Sequence, residues 1–454
     1  MRNQTDEIHP SAEDNYNKKV AALLGVIAKM QQDDNGHARF QSDVHVALSI
    51  MENDIIGEIQ EGLVDYKGTT VGRYFFHHGD RYGVINEGYE QLSRIAETIQ
   101  KLNAFSEKVS QKYIEEKIFT WLKNEFICPT KIGDFIPYLL NEVSQAVENT
   151  TILVPIANTI VEASFEFCGV TIRSFSKAMV DEMATMFTSM ADEISRLNAE
   201  RFISDFRKKY QGYAVAEIKL VCEPDFASDL AINITARATD LLGIYSGAIL
   251  MPNVKCTSRI RGCENIATYF TIIKRAGGGL ISKNGILDIA SAHSWCISQT
   301  ELTEMKKYGL DIISQITTKK KISDFESTVL NMAFLYSKAA FTSDPMEKLV
   351  HMLSALESTL LRNENEPIQQ NLAERVAFFI TQELIERKEI IKNIKHVYGL
   401  RSRYLHHGHS STDLNEISKF FLRVWMFYVN LVQNSGRFSS KGAFLDAIDD
   451  RKLS

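Results

Sequence analysis

An excess of positive charge is missing from this 454-residue chain, whose formal net charge is −6. That excludes the global basic field of a non-sequence-specific nucleic-acid binder, so any contact with RNA has to be local. Paired cysteines are missing as well. Cys128, Cys168, Cys222, Cys256, Cys263 and Cys296 are scattered, and none forms the Cys-x-x-Cys spacing of a zinc site or redox pair. They read as buried free thiols of a reducing compartment. No apolar run reaches the roughly 18 residues of a membrane span, and the polar start Met1–Glu7 lacks an apolar signal core. No membrane contact and a cytoplasmic location are therefore expected. A nucleophile elbow, an HExxH pair and a dinucleotide fingerprint are absent too, which leaves the middle of the chain without a recognisable enzyme site. Glu162, Glu166, Asp225 and Asp229 stand there as isolated carboxylates.

What is present suits a folded protein: hydrophobic residues make up 44% and charged residues 24%. The length allows two or three domains. Residues 1–149 read as a helix-rich region, with an apolar rhythm at Val20, Leu23, Leu24 and Ile27 that predicts a helix over Tyr16–Met30. A second helical region spans Tyr89–Glu125. Residues 150–320 change character. β-Branched and aromatic runs at 152–156, 159–161, 165–167 and 170–172 predict strands, as does the alternation over Ala214–Val221. Pro224-Asp225 then marks a helix start. Gly277-Gly278-Gly279 reads as a turn between strands, since no Lys-Ser/Thr pair follows it in the Walker arrangement. Thr300, with Glu304 four positions on, suggests another helix start, and Lys319-Lys320-Lys321 then reads as a boundary.

Residues 321–435 are helical in pattern almost throughout, with apolar series at 329–340, 349–360, 372–380, 390–397 and 417–429. Breaks at Asp344-Pro345, Asn363–Pro367 and Gly408–Thr412 separate four or five helices of a bundle. Residues 436–454 read as a tail. Basic residues cluster around Arg387, Lys388, Lys392, Lys395, Arg401 and Arg403, a pattern that also fits a solvated helix face.

Four segments of this region occur in a telling order: Tyr336–Ala340 before an acidic turn, Ala355-Leu356-Glu357, Leu372–Ala377, and Tyr398-Gly399-Leu400-Arg401-Ser402-Arg403-Tyr404-Leu405-His406-His407-Gly408. In that order and in its closing motif, the stretch from Phe325 to Gln433 resembles the Apea-like HEPN family. The family signature is an Arg and a His separated by four to six residues, commonly with a polar residue after the Arg. Here Arg401 and His406 have four between them and Ser402 follows. Spacing alone is a weak signal, because Arg73 and His78 repeat it outside any run of amphipathic helices.

The resemblance covers about a quarter of the chain and implies an all-α HEPN bundle; the helix-rich region 1–149 and the mixed α/β region 150–320 before it, together a helix-rich/α+β N-terminal part, are read from the residue pattern alone. It also implies a metal-independent endoribonuclease of the toxin or antiviral-defence kind. RNA carries its own nucleophile, the 2′-OH, so cleavage needs a base, positive charge for the phosphorane and an acid for the leaving 5′-oxygen. His406 can act as base or acid and Arg401 can grip two phosphate oxygens. Ser402, Arg403 and His407 are expected to support them or touch RNA. The three histidines His406, His407 and His409 could also suggest a metal, but ligands normally come from separate elements with a carboxylate or thiol partner, for which Asp413 is the one nearby candidate. No cofactor is expected.

Five helical positions amount to about 140° of rotation, so Arg401 and His406 share a face only if the helix loosens or ends between them. HEPN domains commonly dimerise so that two motifs line one cleft. The expected partners are thus RNA as substrate, further copies of the chain as homodimer or higher homo-oligomer, and a regulatory protein or phage-derived trigger sensed by the first 320 residues. The alternative is a non-catalytic HEPN interaction or sensor module.

Overall fold

Short polar side chains decide where many helices of this protein begin. In a computed structural model that describes residues 8–30, 62–64, 70–128, 133–189, 193–263, 268–274, 280–286, 294–363, 365–408 and 413–453, Ser, Asp and His side chains at helix starts accept the first backbone N–H groups. The chain divides into two compact units, Met1–Thr150 with Lys219–Asp229, and Thr151–Ile218 with Leu230–Ser454.

The first unit combines helices α1 (Pro10–Ala22), α2 (Glu87–Gln100), α3 (Gln111–Ile127) and α4 (Phe135–Ala146) with an antiparallel sheet. Its strands β1 (Ala28–Lys29), β2 (Gly62–Val64), β3 (Thr70–His77) and β4 (Asp80–Ile85) lie in the order β1-β4-β3-β2. Phe75 and Val84 from the sheet and Leu92, Ile99, Ile118, Leu122, Phe135 and Leu139 from the helices share one core. A buried carboxylate within it, Glu115, is satisfied by Tyr89 Oη at 2.9 Å, Ser93 Oγ at 2.7 Å and Gln111 Nε2 at 2.9 Å. Burial, helped by the charge of Glu115, pushes the Tyr89 phenol up to about 12.

Further along, β5 (Glu148–Pro155), β7 (Phe165–Phe167), β8 (Val170–Ser174) and β9 (Ala214–Cys222) form a sheet in the order β5-β9-β8-β7. The helices α5 (Lys177–Ser189) and α6 (Glu193–Tyr210) are inserted between β8 and β9. Then follow α7 (Pro224–Leu242), the antiparallel hairpin β10 (Thr268–Lys274) and β11 (Leu280–Ile286), and β12 (Trp295–Ile297), which pairs in parallel with β6 (Thr159–Val161). From residue 299 the described residues form no strand: α8 (Gln299–Lys307), α9 (Leu310–Thr318), α10 (Asp324–Ser337), α11 (Pro345–Leu360), α12 (Ile368–Ile380), α13 (Leu384–His407), α14 (Leu414–Gln433) and α15 (Lys441–Leu453). The protein is thus helix-rich with a smaller sheet content, and its C-terminal part is all-helical. Position 320/321 falls between α9 and α10, inside the second unit.

Several local expectations are corrected. The first helix stops at Ala22, and a 3₁₀ turn over Leu23–Val26 leads into β1, because Gly25 and the β-branched Val26-Ile27 favour leaving the α conformation. The helical region expected over Tyr89–Glu125 consists of two helices, α2 and α3, separated by turns over residues 101–110. The cap before α8 is Ser298, which accepts from Glu301 N at 3.1 Å, rather than Thr300. Residues 441–453 form a helix that packs on α12 with Phe444, Leu445 and Ile448 buried. All six cysteines are free, but only Cys168, Cys222 and Cys256 are buried, since Cys128 ends a helix and Cys263 and Cys296 sit at exposed positions. The Gly277–Gly279 turn lies outside the described residues, as does His409.

One buried cation joins α11 to the segment that follows α7. Lys348 is fully buried, and its Nζ donates to the Ala248 carbonyl at 2.5 Å and the Val254 carbonyl at 2.6 Å. Burial pulls its ammonium down to about 7. The unfolded chain therefore binds this proton between about pH 7 and 10.5 while the folded chain does not, so Lys348 makes stability rise as pH increases through that window. Urea denaturation at several pH values is expected to show a gain of up to about 1.4 kcal/mol per pH unit above pH 7, absent from Lys348→Met. Equal pH profiles for the two proteins would rule this out.

Candidate functional site

The last three turns of α13 carry the Arg401–His406 segment. The helix buries Ile390, Asn393, Ile394, Val397 and Leu400 at three- and four-residue steps, which fixes its rotation about its own axis. Asn393 Nδ2 fastens it to α14 by donating to the Glu416 carbonyl at 2.9 Å and to Glu416 Oε2 at 2.7 Å. Termination falls at Gly408, which adopts a left-handed φ of 66° and returns its N–H to the Tyr404 carbonyl at 2.9 Å. The α-helix therefore runs unbroken through both motif residues. It does not end between them, because the only residue suited to the left-handed cap follows His407.

Arg401 and His406 consequently point about 140° apart around one helix. Arg401 turns toward the bundle, with a side chain 22% exposed, and Nη1 stands 3.7 Å from Glu357 Oε1 on α11. The same nitrogen donates to Tyr398 Oη at 3.3 Å, and the guanidinium lies 5.5 Å from the Tyr398 ring centre. Arg401 Nε and Glu357 Oε1 are buried without hydrogen bonds. The pair is thus charge-matched but loosely bonded. Burial first, and the Glu357 charge second, raise the Tyr398 phenol.

His406 and His407 are exposed, with ring centres 6.4 Å apart, and Ser402 and Arg403 are exposed too. The structure separates the sequence-derived site accordingly: Arg401 on the inner flank, His406 with Ser402 and Arg403 on the outer. His396, one helical turn before Leu400, meets Asp413 at 3.1 Å. Among the described residues no cluster of three His, Cys, Asp or Glu side chains is close enough to hold a metal.

The outer face of α13 carries more than the motif. At 100° per residue, Lys388, Lys392, Lys395, Arg403 and His406 fall within a sector about 80° wide and about 27 Å long, with no carboxylate in it. Lys388, Lys392 and Arg403 are exposed and Lys395 is half-buried. Arg387 leaves this face, donating to the Thr381 carbonyl at 2.9 Å with its guanidinium over Phe378. The cluster noted in the sequence therefore resolves into a stripe that ends at His406.

Glu357 is the residue that reading along the chain left without a role. Its signal was available: it is a carboxylate on a stretch of α11 where Leu353, Ala355, Leu356, Thr359 and Leu360 are all buried. A lone acid among such neighbours calls for a cation, and Arg401 supplies it. The second Arg-to-His spacing has a different setting altogether. Arg73 sits on β3 and reaches Glu116 at 3.2 Å, while His78 (φ 52°) and Gly79 (φ 84°) form the two-residue turn between β3 and β4.

No helix among the described residues is long and apolar enough to cross a membrane. Comparison with protein families, with curated proteins and with solved structures finds no match for this chain.

Proposed function

We propose that this protein is a HEPN-type, metal-independent endoribonuclease that acts as a toxin or antiviral defence effector and works as a homodimer. The observation that carries this reading is the α13 stripe, in which Lys388, Lys392, Lys395 and Arg403, on a sector of the helix without a carboxylate, line up with an exposed histidine at the helix end. Such a row suits a phosphate backbone, and the histidine at its end suits proton transfer at one phosphodiester. In the proposed step a base removes the 2′-OH proton, the 2′-oxygen attacks phosphorus, and the P–O5′ bond breaks. A protonated histidine returns a proton to the departing 5′-oxygen. The products are a 2′,3′-cyclic phosphate and a 5′-hydroxyl. Arg401 holds the charge of the phosphorane. Because Arg401 and His406 diverge on one helix, the reading requires a second copy to bring one group of each kind to the same phosphate.

The test is to incubate the purified chain with RNA in EDTA while its mass is followed by light scattering. Cleavage to cyclic-phosphate ends by a dimer is expected, and an intact substrate at all protein concentrations defeats the proposal. The stripe makes a separate prediction. Replacing Lys388, Lys392 and Lys395 together by Gln is expected to weaken RNA binding and to lower the slope of log affinity against log salt by about 2. An unchanged slope removes the stripe from the RNA contact.

A second reading, a non-catalytic HEPN interaction or sensor module, is favoured by the engagement of Arg401 with Glu357 and Tyr398, which are contacts a purely structural arginine would make.

A further inference from the structure

The end of α14 farthest from the α13 terminus, the turn that follows it, α12 and α15 border a partly open cavity of about 290 Å³. Its lining includes two guanidinium groups, Arg437 and Arg451, two carboxamides, Asn430 and Asn434, and two aromatic rings, Phe379 and Phe438. No carboxylate lines it. That composition sorts ligands by class. Two guanidinium groups in a lining without a carboxylate favour an anion, and the planar fork of arginine, Arg437 above all, fits phosphate through paired N–H donors.

The guanidinium of Arg437 is held in place. Its Nη1 donates to Asn434 Oδ1 at 2.8 Å, and Asn434 Nδ2 donates in turn to the Asn430 carbonyl at 2.7 Å, so the last turn of α14 orients it. One N–H is spent on that contact, and the rest of the five-donor fork remains for a ligand. The rings are equally fixed. Phe438 packs against Phe325 and Phe444 with ring centres 5.2 and 5.3 Å apart, and Phe379 against Phe427 and Phe444 at 5.2 and 5.1 Å. Rigid aromatic walls accept a planar heterocycle by stacking, and a carboxamide beside them can read its polar edge. The volume lies at the lower end of small-molecule sites, room for one such ligand rather than a dinucleotide.

We propose that this cavity binds a single free nucleoside monophosphate, with phosphate on Arg437 and Arg451, the base against Phe379 or Phe438, and Asn430 at the base edge. The site is separate from the Arg401–His406 segment and does not depend on the nuclease reading.

Calorimetric titration of the full chain with AMP, GMP and UMP, beside inorganic phosphate and benzoate, tests this. At least one nucleotide is expected to bind ten times or more tightly than phosphate or benzoate, by about that factor or greater. Arg437→Ala/Arg451→Ala is expected to weaken that nucleotide by at least about tenfold with an unchanged thermal midpoint in its absence. Asn430→Ala is expected to weaken the nucleotide and leave phosphate unaffected. Three results overturn the proposal: no saturation by any nucleotide, phosphate or benzoate binding as tightly as the nucleotides, or undiminished binding by the double variant. Binding that is lost in His406→Ala but kept in the arginine double variant also overturns it, because the ligand then sits at α13.

Discussion

His406→Ala is expected to lower the rate of RNA cleavage by about 10²- to 10⁴-fold, the range that one positioned proton-transfer group contributes. The side chain is exposed at the end of α13, so its removal leaves no cavity, and the thermal midpoint should stay within about 1 °C of wild type. Arg401→Ala should lose activity to a similar degree for a different reason, by withdrawing the charge that faces the phosphorane. It also leaves the half-buried Glu357 without its cation, so a modest loss of stability is expected alongside. Glu357→Gln separates the two effects, since it removes the ion pair and keeps Arg401. If this variant cleaves RNA while Arg401→Ala does not, the arginine acts on substrate rather than on the fold. The divergence of the two groups gives a sharper test still. Mixing the inactive Arg401→Ala and His406→Ala proteins should restore part of the activity, because one composite site per mixed dimer would regain both groups. No recovery in mixed dimers verified by mass would falsify the shared cleft.

Arg375→Ala is expected to cost about 3–5 kcal/mol of stability, the usual result of removing one member of a buried ion pair. Arg375 is 3% exposed, and it donates to the Leu360 carbonyl at 2.6 Å, to Glu366 at 2.8 Å and to Asp449 through Nη2 at 3.0 Å and Nε at 3.2 Å. Arg362 and Lys452 also reach Asp449, so the carboxylate joins α12, the turn after α11, and α15. Hydrogen bonds from these cations outweigh partial burial and hold the Asp449 carboxyl far below the usual carboxylate range. Glu366 is lowered by its bond from Arg375. Both acids are depressed in the folded state, so their contribution is complete above the ordinary carboxylate range near pH 4 and fades as pH falls toward their folded values. Urea melts should therefore show the difference between wild type and Arg375→Ala shrinking below about pH 4. A loss under about 1 kcal/mol at pH 7 would mean that α15 does not depend on this network.

The helical stretches from α10 to α14 were legible from local apolar periodicity, although the break at 381–383 between α12 and α13 was not. Ser323 with Glu326 closes a capping box, Asp344 before Pro345 caps α11, and Gly408 stops α13. The strands from β5 to β9 were legible from their β-branched runs. Helix α15 was not, because its few apolar residues, Phe444, Leu445 and Ile448, make no long periodic series, and its charged residues find their partners Arg362, Arg375 and Glu374 between 74 and 84 residues earlier in the chain. The Arg401–His406 spacing was read directly, whereas its geometry depends on an α13 rotation set by contacts with α11 and α14.

Apolar periodicity along the chain was enough to mark residues 324–433 as helical and to show which residue types stand at the Arg401–His406 segment. Caps, glycine stops and apolar periodicity act within a few residues, so they survive in any reading of the chain. Tertiary structure alone decided that Arg401 faces Glu357 while His406 faces outward, and that Lys348 and Arg375 are buried with partners. Those outcomes rest on contacts between distant segments, where burial removes water and makes the choice of partner decide the energy.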